Sequence, residues 1–269
     1  MRPIIESLQN PRIKQVVRLR EAATRRKLGR FLIDGWREIE LASRHGVQIE
    51  TIFVDGTGDM AEPSASAHPS AGVEHDLATR TQAVSSKVLE RIGYGQRSNT
   101  PVAVAVTPQF ELRQVAWEPP QVILVLDRTE KPGNLGACLR TAAAAGVSAV
   151  ILTDPICEPC NPNTIRASRG SLFTVPLAVT SGALFRSFCA ACQLPCFAAR
   201  VDAAADLWQQ DFSQGGAVLF GSEAHGLGPE WYDARVQGFT IPMQGTPDSL
   251  NLSISTALTL YEAVRQQRL

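Results

Sequence analysis

No stretch of this 269-residue chain is long and apolar enough to span a membrane, and Met1-Arg-Pro-Ile-Ile-Glu6 lacks the apolar core of a secretory signal. A cytoplasmic protein with no membrane partner is the expectation. Net charge is missing too. The 26 Lys and Arg are balanced by 26 Asp and Glu, so overall charge points to no class of partner. No internal repeat is evident beyond an alternation of strand and helix patterns. The glycine-bearing loop Pro132-Gly-Asn-Leu-Gly136 is not the Gly-x-Gly-x-x-Gly fingerprint of dinucleotide binding, and Ala149-Val-Ile-Leu-Thr153 is not followed by a convincing ribose-binding acid. Both absences count against a doubly wound dehydrogenase.

What is present describes an ordinary globule. Hydrophobic residues make up 44% and charged residues 19%, enough apolar material for real cores, and the length suggests two domains. Charge is uneven locally. Arg12, Lys14, Arg18, Arg20, Arg25, Arg26, Lys27 and Arg30 face only Glu21, an excess that attracts phosphates if it is not simply a solvated helix face. The six cysteines are expected to be mostly reduced in the cytosol. Cys157-x-x-Cys160 and Cys189-x-x-Cys192, with Cys196 nearby, have ligand-like spacing. The gap between the pairs exceeds the zinc-ribbon range, and the second pair falls on an expected helix. Buried or loop thiols are expected here rather than a metal site.

Along the chain, Asn10-Pro11 marks a helix start, followed by an apolar stripe at Ile13, Val16, Val17 and Leu19. Arg30 to His45 reads as strand, Gly35 turn and amphipathic helix, and Thr51–Asp55 as a second strand. Gly56 to Gly72 has loop composition. Val84 to Gly93 reads as a helix and Pro101–Val106 as a short buried strand. A linker is expected from about Thr107 to Pro120. The second half opens with the continuous apolar run Val122-Ile-Leu-Val-Leu126, suited to a strand covered on both faces. Further strands are expected at Ala149–Leu152, Leu172–Pro176, Cys196–Ala199, Ala217–Phe220 and Phe239–Pro242. Helices are expected at Thr164–Gly170 and Ala183–Cys192. The pattern is α/β with a mostly parallel sheet and a smaller α/β domain before it.

The C-terminal stretch runs as a strand (Phe239–Met243), a polar loop (Gln244–Ser249) and a helix from about Leu250. That helix is expected to bury Ile254, Ala257, Leu258, Tyr261 and Val264. Ser249, Asn251, Ser253, Ser255 and Thr256 crowd its start, where small polar side chains also serve as caps. Two earlier segments share the strand, polar loop and helix build: Val122 to Gly146, and Ala217 to Gly228. The pieces Glu130-Lys-Pro-Gly-Asn-Leu-Gly-Ala-Cys-Leu-Arg-Thr141, Gly221-Ser-Glu-Ala-His-Gly-Leu227 and Ile241-Pro-Met243 with Ser249-Leu-Asn-Leu-Ser253 resemble, in order and spacing, motifs 1, 2 and 3 of the SpoU (TrmH-type) branch of the SPOUT RNA methyltransferases. The second departs from the commoner Gly-Asn-Glu-Gly-x-Gly. The first half is similar to the L30e-like substrate-binding domain that precedes many such catalytic domains. That likeness rests on Ser7-Leu-Gln-Asn-Pro-Arg12, Gly29-Arg-Phe-Leu-Ile-Asp-Gly-Trp-Arg-Glu38 and Thr100-Pro-Val-Ala-Val-Ala105.

The resemblance implies an L30e-like domain over residues 1–107 and a SPOUT domain over 118–269 whose C-terminal segment is threaded into a trefoil knot. It implies methyl transfer from S-adenosylmethionine to a ribose 2′-hydroxyl of rRNA or tRNA, in a homodimer and without a metal. A catalytically idle RNA-binding protein of the same fold is the alternative. Donor binding is expected at Gly221, Glu223, Ile241, Met243 and Leu250, where Gly221, Gly226 and Gly228 permit close main-chain approach. Asn134, Arg140, Glu223, Asn251 and Ser253 are the expected catalytic group. The resemblance implies that Arg140 helps deprotonate the ribose hydroxyl; because a guanidinium is a poor base, positioning phosphate and supporting a developing alkoxide is the other role open to it. His225 reads as loop filler. RNA contact is expected at Arg12, Lys14, Arg18, Arg25, Arg26 and Lys27.

Overall fold

The computed structural model describes residues 3–56, 74–94, 100–246 and 249–268, with backbone only at 74–76. The expected loop beyond Gly56 lies outside the described residues. The chain divides into two compact units. The first comprises Met1–Pro108 together with Pro159–Thr174, and the second Gln109–Glu158 with Val175–Leu269.

In the first unit, helix α1 (Pro11–Arg18) begins where Asn10 Oδ1 accepts the Arg12 amide at 2.9 Å and Pro11 takes the first turn, which needs no N–H partner. Its stripe Ile13, Val16 and Leu19 is buried. Then follow α2 (Ala22–Leu28), β1 (Arg30–Asp34), α3 (Trp36–Arg44), β2 (Ile49–Asp55), α4 (Glu74–Thr79), β3 (Thr81–Val84), α5 (Ser86–Ile92) and β4 (Val102–Val106). Strand order is β1-β4-β2-β3, with β4 antiparallel to both neighbours and β3 parallel to β2. Helix α4 and strand β3 were not expected. Four residues beginning Thr-Gln carry too little apolar periodicity to register as a strand.

The second unit holds β5 (Val122–Asp127), α6 (Pro132–Ala145) and β6 (Ala149–Thr153). Helix α7 (Pro162–Ser168) belongs to the first unit. Back in the second come β7 (Leu177–Thr180), α8 (Gly182–Cys192), β8 (Cys196–Ala199), β9 (Gly216–Phe220), β10 (Val236–Phe239) and α9 (Leu252–Gln267). The sheet is wholly parallel, in the order β10-β8-β9-β5-β6-β7. Every residue of β5 is buried, as its unbroken apolar run requires.

Several expectations shift. The stretch Leu172–Pro176 is not a strand: Ser171–Phe173 forms a 3-10 turn, and β7 starts after Pro176. The linker is partly structured, since Leu112, Val115 and Trp117 pack on the core of the second unit. The strand expected at Phe239–Met243 lies earlier, at Val236–Phe239, and shares only Phe239 with that span. Thr240 still bridges Asp206, but Pro242 has no N–H to continue a ladder. Helix α9 begins at Leu252, two residues later than expected, with Asn251 as its cap.

The largest correction concerns which face of α9 is inside. Ile254 and Tyr261 are each 51% exposed and Leu258 is 38% exposed, while Leu252, Thr256, Thr259, Leu260 and Ala263 are buried. The threonines tolerate this because each hydroxyl is satisfied on its own helix. Thr256 Oγ1 donates to Leu252 O at 2.8 Å and Thr259 Oγ1 to Ser255 O at 3.0 Å, leaving methyl groups to pack.

Candidate functional site

The carboxyl ends of β8, β9 and β10 open onto a cavity of about 570 Å³, closed on its other sides by the start of α6 and the segment Ser249–Leu252. In a parallel sheet this is where strands hand over to loops, and so where ligands are bound. Phe220, Leu227, Ile241 and Leu252 supply apolar wall, and Lys131, Asn134, Glu223 and Ser249 supply polar groups.

Gly221 fixes the wall after β9. A Cβ there would lie 1.9 Å from Gly226 C and 2.1 Å from Leu227 N, so no side chain fits. The loop it opens is a closed ring. Ser222 N donates to Gly226 O at 3.1 Å, Gly226 N returns the bond to Ser222 O at 2.9 Å, and Gly226 takes a φ of +65°. Ser222 Oγ also accepts the His225 amide at 3.1 Å, so His225 contributes backbone to the ring while its exposed side chain lines the cavity. Gly228 is different. It does not line the cavity, and its bare Cα makes room for the Arg128 guanidinium, 2.0 Å from where a Cβ would sit.

The ring carries Glu223 to Asn134 on the first turn of α6. Asn134 Nδ2 donates to Glu223 Oε1, and Asn134 Oδ1 accepts from Asn251 Nδ2 at 3.3 Å. Asn251 Oδ1 accepts both the Ser253 amide at 2.9 Å and the Ser253 hydroxyl at 2.7 Å, capping α9. Residues from three separate loops thus form one hydrogen-bonded line. The second Glu223 oxygen, Oε2, is buried with no partner among the described residues. A buried carboxylate oxygen without a donor is costly, and a ligand N–H or O–H would satisfy it.

Asn134, Glu223, Asn251, Gly221, Ile241, Met243 and Leu250 all line this cavity, with Met243 and Leu250 on its exposed rim. Ser253 acts on it through Asn251. Arg140 is not brought in: it is exposed on α6 and lines no part of the cavity. Six positions along a helix turn the side chain by about 240° from Asn134, onto another face. Lys131, Arg200 and Tyr232 were missed. Lys131 lay within a recognised motif, directly before Pro132. Arg200 and Tyr232 meet only through the fold, with the guanidinium carbon 3.8 Å from the ring centroid and its Nε and Nη2 held by Asp202 at 3.0 and 3.2 Å. The bond to Asp202 raises the Arg200 pKa, and no sequence spacing signals the pair.

Asn251→Ala tests the line directly. It removes the α9 cap, costing about 1 kcal/mol in a thermal melt, and releases Asn134 from one side. Turnover in the methyl transfer that the motif resemblance implies is expected to fall by about 100-fold, well beyond what the stability loss explains. Turnover within a factor of two would show that the line is structural only.

The basic run divides. Lys14, Arg18, Arg26 and Lys27 are exposed, as is Arg12, but Arg25 is only 4% exposed. Its Nη1 donates to Leu19 O at 3.0 Å and Arg20 O at 2.7 Å, tying off the carbonyls between α1 and α2. It is a structural clamp and is withdrawn from the RNA-contact group. No disulfide joins any of the six cysteines, and among the described residues no group of three His, Cys, Asp or Glu side chains is placed to hold a metal ion. Burial pushes the Cys138 thiol, beside Thr256 at 3.5 Å, up to about 12. No helix among the described residues is long and apolar enough to cross a membrane.

Comparison with known proteins agrees with this architecture. Residues 121–261 match the SpoU rRNA methylase family, and residues 10–103 match the MRM3-like substrate-binding domain. An uncharacterized tRNA/rRNA methyltransferase of Synechocystis sp. is 31% identical over 98% of this chain and 94% of its own. The 23S rRNA (uridine(2479)-2′-O)-methyltransferase of Streptomyces viridochromogenes is 29% identical over 90% of this chain and 85% of its own. The crystal structure of an AdoMet-bound rRNA methyltransferase from Sinorhizobium meliloti superposes with a TM-score of 0.86, at 28% identity over 98% of this chain and 97% of that one. With more than half of its length matching that family, this chain belongs to the SpoU rRNA methylase family.

Proposed function

We propose that the protein is an S-adenosylmethionine-dependent RNA methyltransferase acting on a ribose 2′-hydroxyl of ribosomal or transfer RNA in the cytoplasm. The observation that carries this is the cavity itself. A glycine-pinched loop, an apolar wall and an unpartnered carboxylate oxygen meet at the ends of three parallel strands. S-adenosylmethionine, when bound, supplies an activated methyl group and a neutral thioether leaving group. The residues present fit it. Gly221 and Gly226 allow the main chain to approach closely, Ile241, Leu250 and Met243 form the apolar side, and the free Glu223 oxygen accepts a hydrogen bond. Asn134 and Asn251 hold that carboxylate in place and leave polar edges toward the attacked hydroxyl, with Ser253 fixing Asn251.

The exposed stripe Ile254, Leu258 and Tyr261 fits a second copy of the chain, since contiguous apolar surface of this kind marks association. Arg140, outside the cavity of its own chain, would then act in the cavity of the partner. RNA contact is assigned to Arg12, Lys14, Arg18, Arg26 and Lys27. Replacing Lys14, Arg18, Arg26 and Lys27 together by alanine is expected to lower RNA affinity and to flatten its salt dependence, the log–log slope falling by about 0.7 for each phosphate that is no longer neutralised. Arg25→Ala should instead destabilise the fold, by about 2 kcal/mol in urea titration, and leave the salt slope of the folded protein unchanged. An unchanged slope in the fourfold variant would remove this surface from RNA binding.

Transfer of radiolabelled methyl from S-adenosylmethionine to total unmodified RNA tests the activity. Label recovered on a ribose supports it. Donor binding by calorimetry without transfer would move the substrate elsewhere, and no donor binding would sink the proposal.

A further inference from the structure

The first unit contains a second cavity, of about 350 Å³, between α1, the end of α2 and the face of the sheet formed by β1, β4 and β2. Its floor is apolar, since Val16, Leu19, Phe53 and Val104 are all buried. Its rim is polar. Arg12 stands over the Phe53 ring with its guanidinium carbon 5.6 Å from the centroid, and its Nη2 donates to Thr51 Oγ1 at 2.7 Å. The guanidinium plane is therefore anchored rather than swinging freely in water. Across the central strand, Arg30 Nε pairs with Glu50 Oε2 at 2.7 Å with both side chains about one-third exposed, so a donor and an acceptor sit side by side at the mouth. Lys14 and Arg18, on the same helix as Arg12, are exposed.

We propose that this cavity receives one unstacked nucleotide of the RNA, as a recognition site separate from the cavity of the catalytic unit. The proposal rests on the RNA-methyltransferase reading. The volume lies at the small end of ligand pockets and suits one base with part of its ribose, not a base pair or a duplex. Its chemistry is that of single-strand RNA readers: a base packs against an apolar floor and a guanidinium plane, its polar edge meets a donor and an acceptor, and neighbouring phosphates meet cations. The Arg12 plane, backed by Phe53 and held by Thr51, forms the stacking side, Arg30 and Glu50 meet the edge, and Lys14 and Arg18 meet the backbone. A site for phosphates alone would need neither the apolar floor nor Glu50, whose charge repels them.

The test separates stacking from charge. The full chain is titrated into a short single-stranded oligoribonucleotide carrying one 2-aminopurine, whose emission is quenched by stacking on its neighbours. Wild type is expected to bind with a rise in emission as the base leaves the stack. Arg12→Lys keeps the charge and loses the plane. It should bind about tenfold more weakly and lose the rise, with an unchanged melting temperature. Lys14→Ala should weaken binding and keep the rise. Binding by wild type without a rise, or Arg12→Lys behaving as wild type, overturns the assignment and leaves the methyltransferase reading standing. No RNA binding by wild type overturns both.

Discussion

Gly221→Ala is expected to lower affinity for S-adenosylmethionine by about 100-fold, or about 2.7 kcal/mol, and to abolish methyl transfer at ordinary donor concentrations. The cause is local. A Cβ at 221 falls 1.9 Å from Gly226 C and 2.1 Å from Leu227 N, and both are backbone atoms that cannot rotate away. To make room, the ring closed by the two Ser222–Gly226 bonds must open or shift outward, carrying Glu223 away from Asn134. A methyl group in a tight core is accommodated by small movements of many neighbours. Here the neighbours are the cavity wall, so the accommodation is itself the loss of the site. Gly133→Ala is the matched control. It lies in the first motif loop, and its Cβ would meet nothing within 4 Å. That change should leave donor affinity unchanged and, on the first turn of α6, add up to about 1 kcal/mol of stability. Isothermal calorimetry with both variants, checked by thermal melts, decides the point. Equal affinities for Gly221→Ala and wild type would show that the ring does not contact the donor.

Much of this site was legible because its three segments are each continuous in sequence. Motif residues such as Gly221, Glu223, Asn134 and Asn251 needed only to be brought together, and a parallel sheet does that at its carboxyl edge. What was not legible has physical causes. Thr256 and Thr259 look polar in a sequence, yet their hydroxyls bond the preceding turn of α9 and the helix packs on its threonine side. A periodicity that counts threonine as polar therefore puts the wrong face inside. Arg25 has the composition of a phosphate contact, but the break between α1 and α2 leaves carbonyls to which its guanidinium donates. Arg200 and Tyr232 stack across 32 positions of sequence with no motif between them. The placing of Pro159–Thr174 with the first unit is likewise a product of tertiary packing, invisible to any division of the chain by sequence. Strand β10 lies before Pro242, which has no N–H to give to a ladder.

Arg140→Ala is expected to lower turnover by at least about 1,000-fold while leaving donor affinity within a factor of two, because Arg140 lies outside the cavity that holds the donor. This split between binding and turnover is the first signature. The second comes from mixing chains. Arg140→Ala and Gly221→Ala are each inactive alone, one lacking the guanidinium and the other a donor cavity. If Arg140 serves the partner's site, a dimer with one chain of each kind has one complete site: the intact cavity of the Arg140→Ala chain, served by Arg140 of the Gly221→Ala chain. Random exchange between equal amounts in a twofold dimer then restores about a quarter of wild-type turnover. If Arg140 acts within its own chain, no mixed dimer has a complete site and nothing is restored. Leu258→Asp, placed in both chains, closes the argument. It puts a charge into the exposed α9 stripe, which is 38% exposed at that position, and should yield monomers by sedimentation. The Arg140→Ala monomers should still bind donor, and the mixture should show no restored turnover. Restoration that survives in monomers would refute the exchange of Arg140 between chains, and a dimer that survives Leu258→Asp would place the subunit contact on another face.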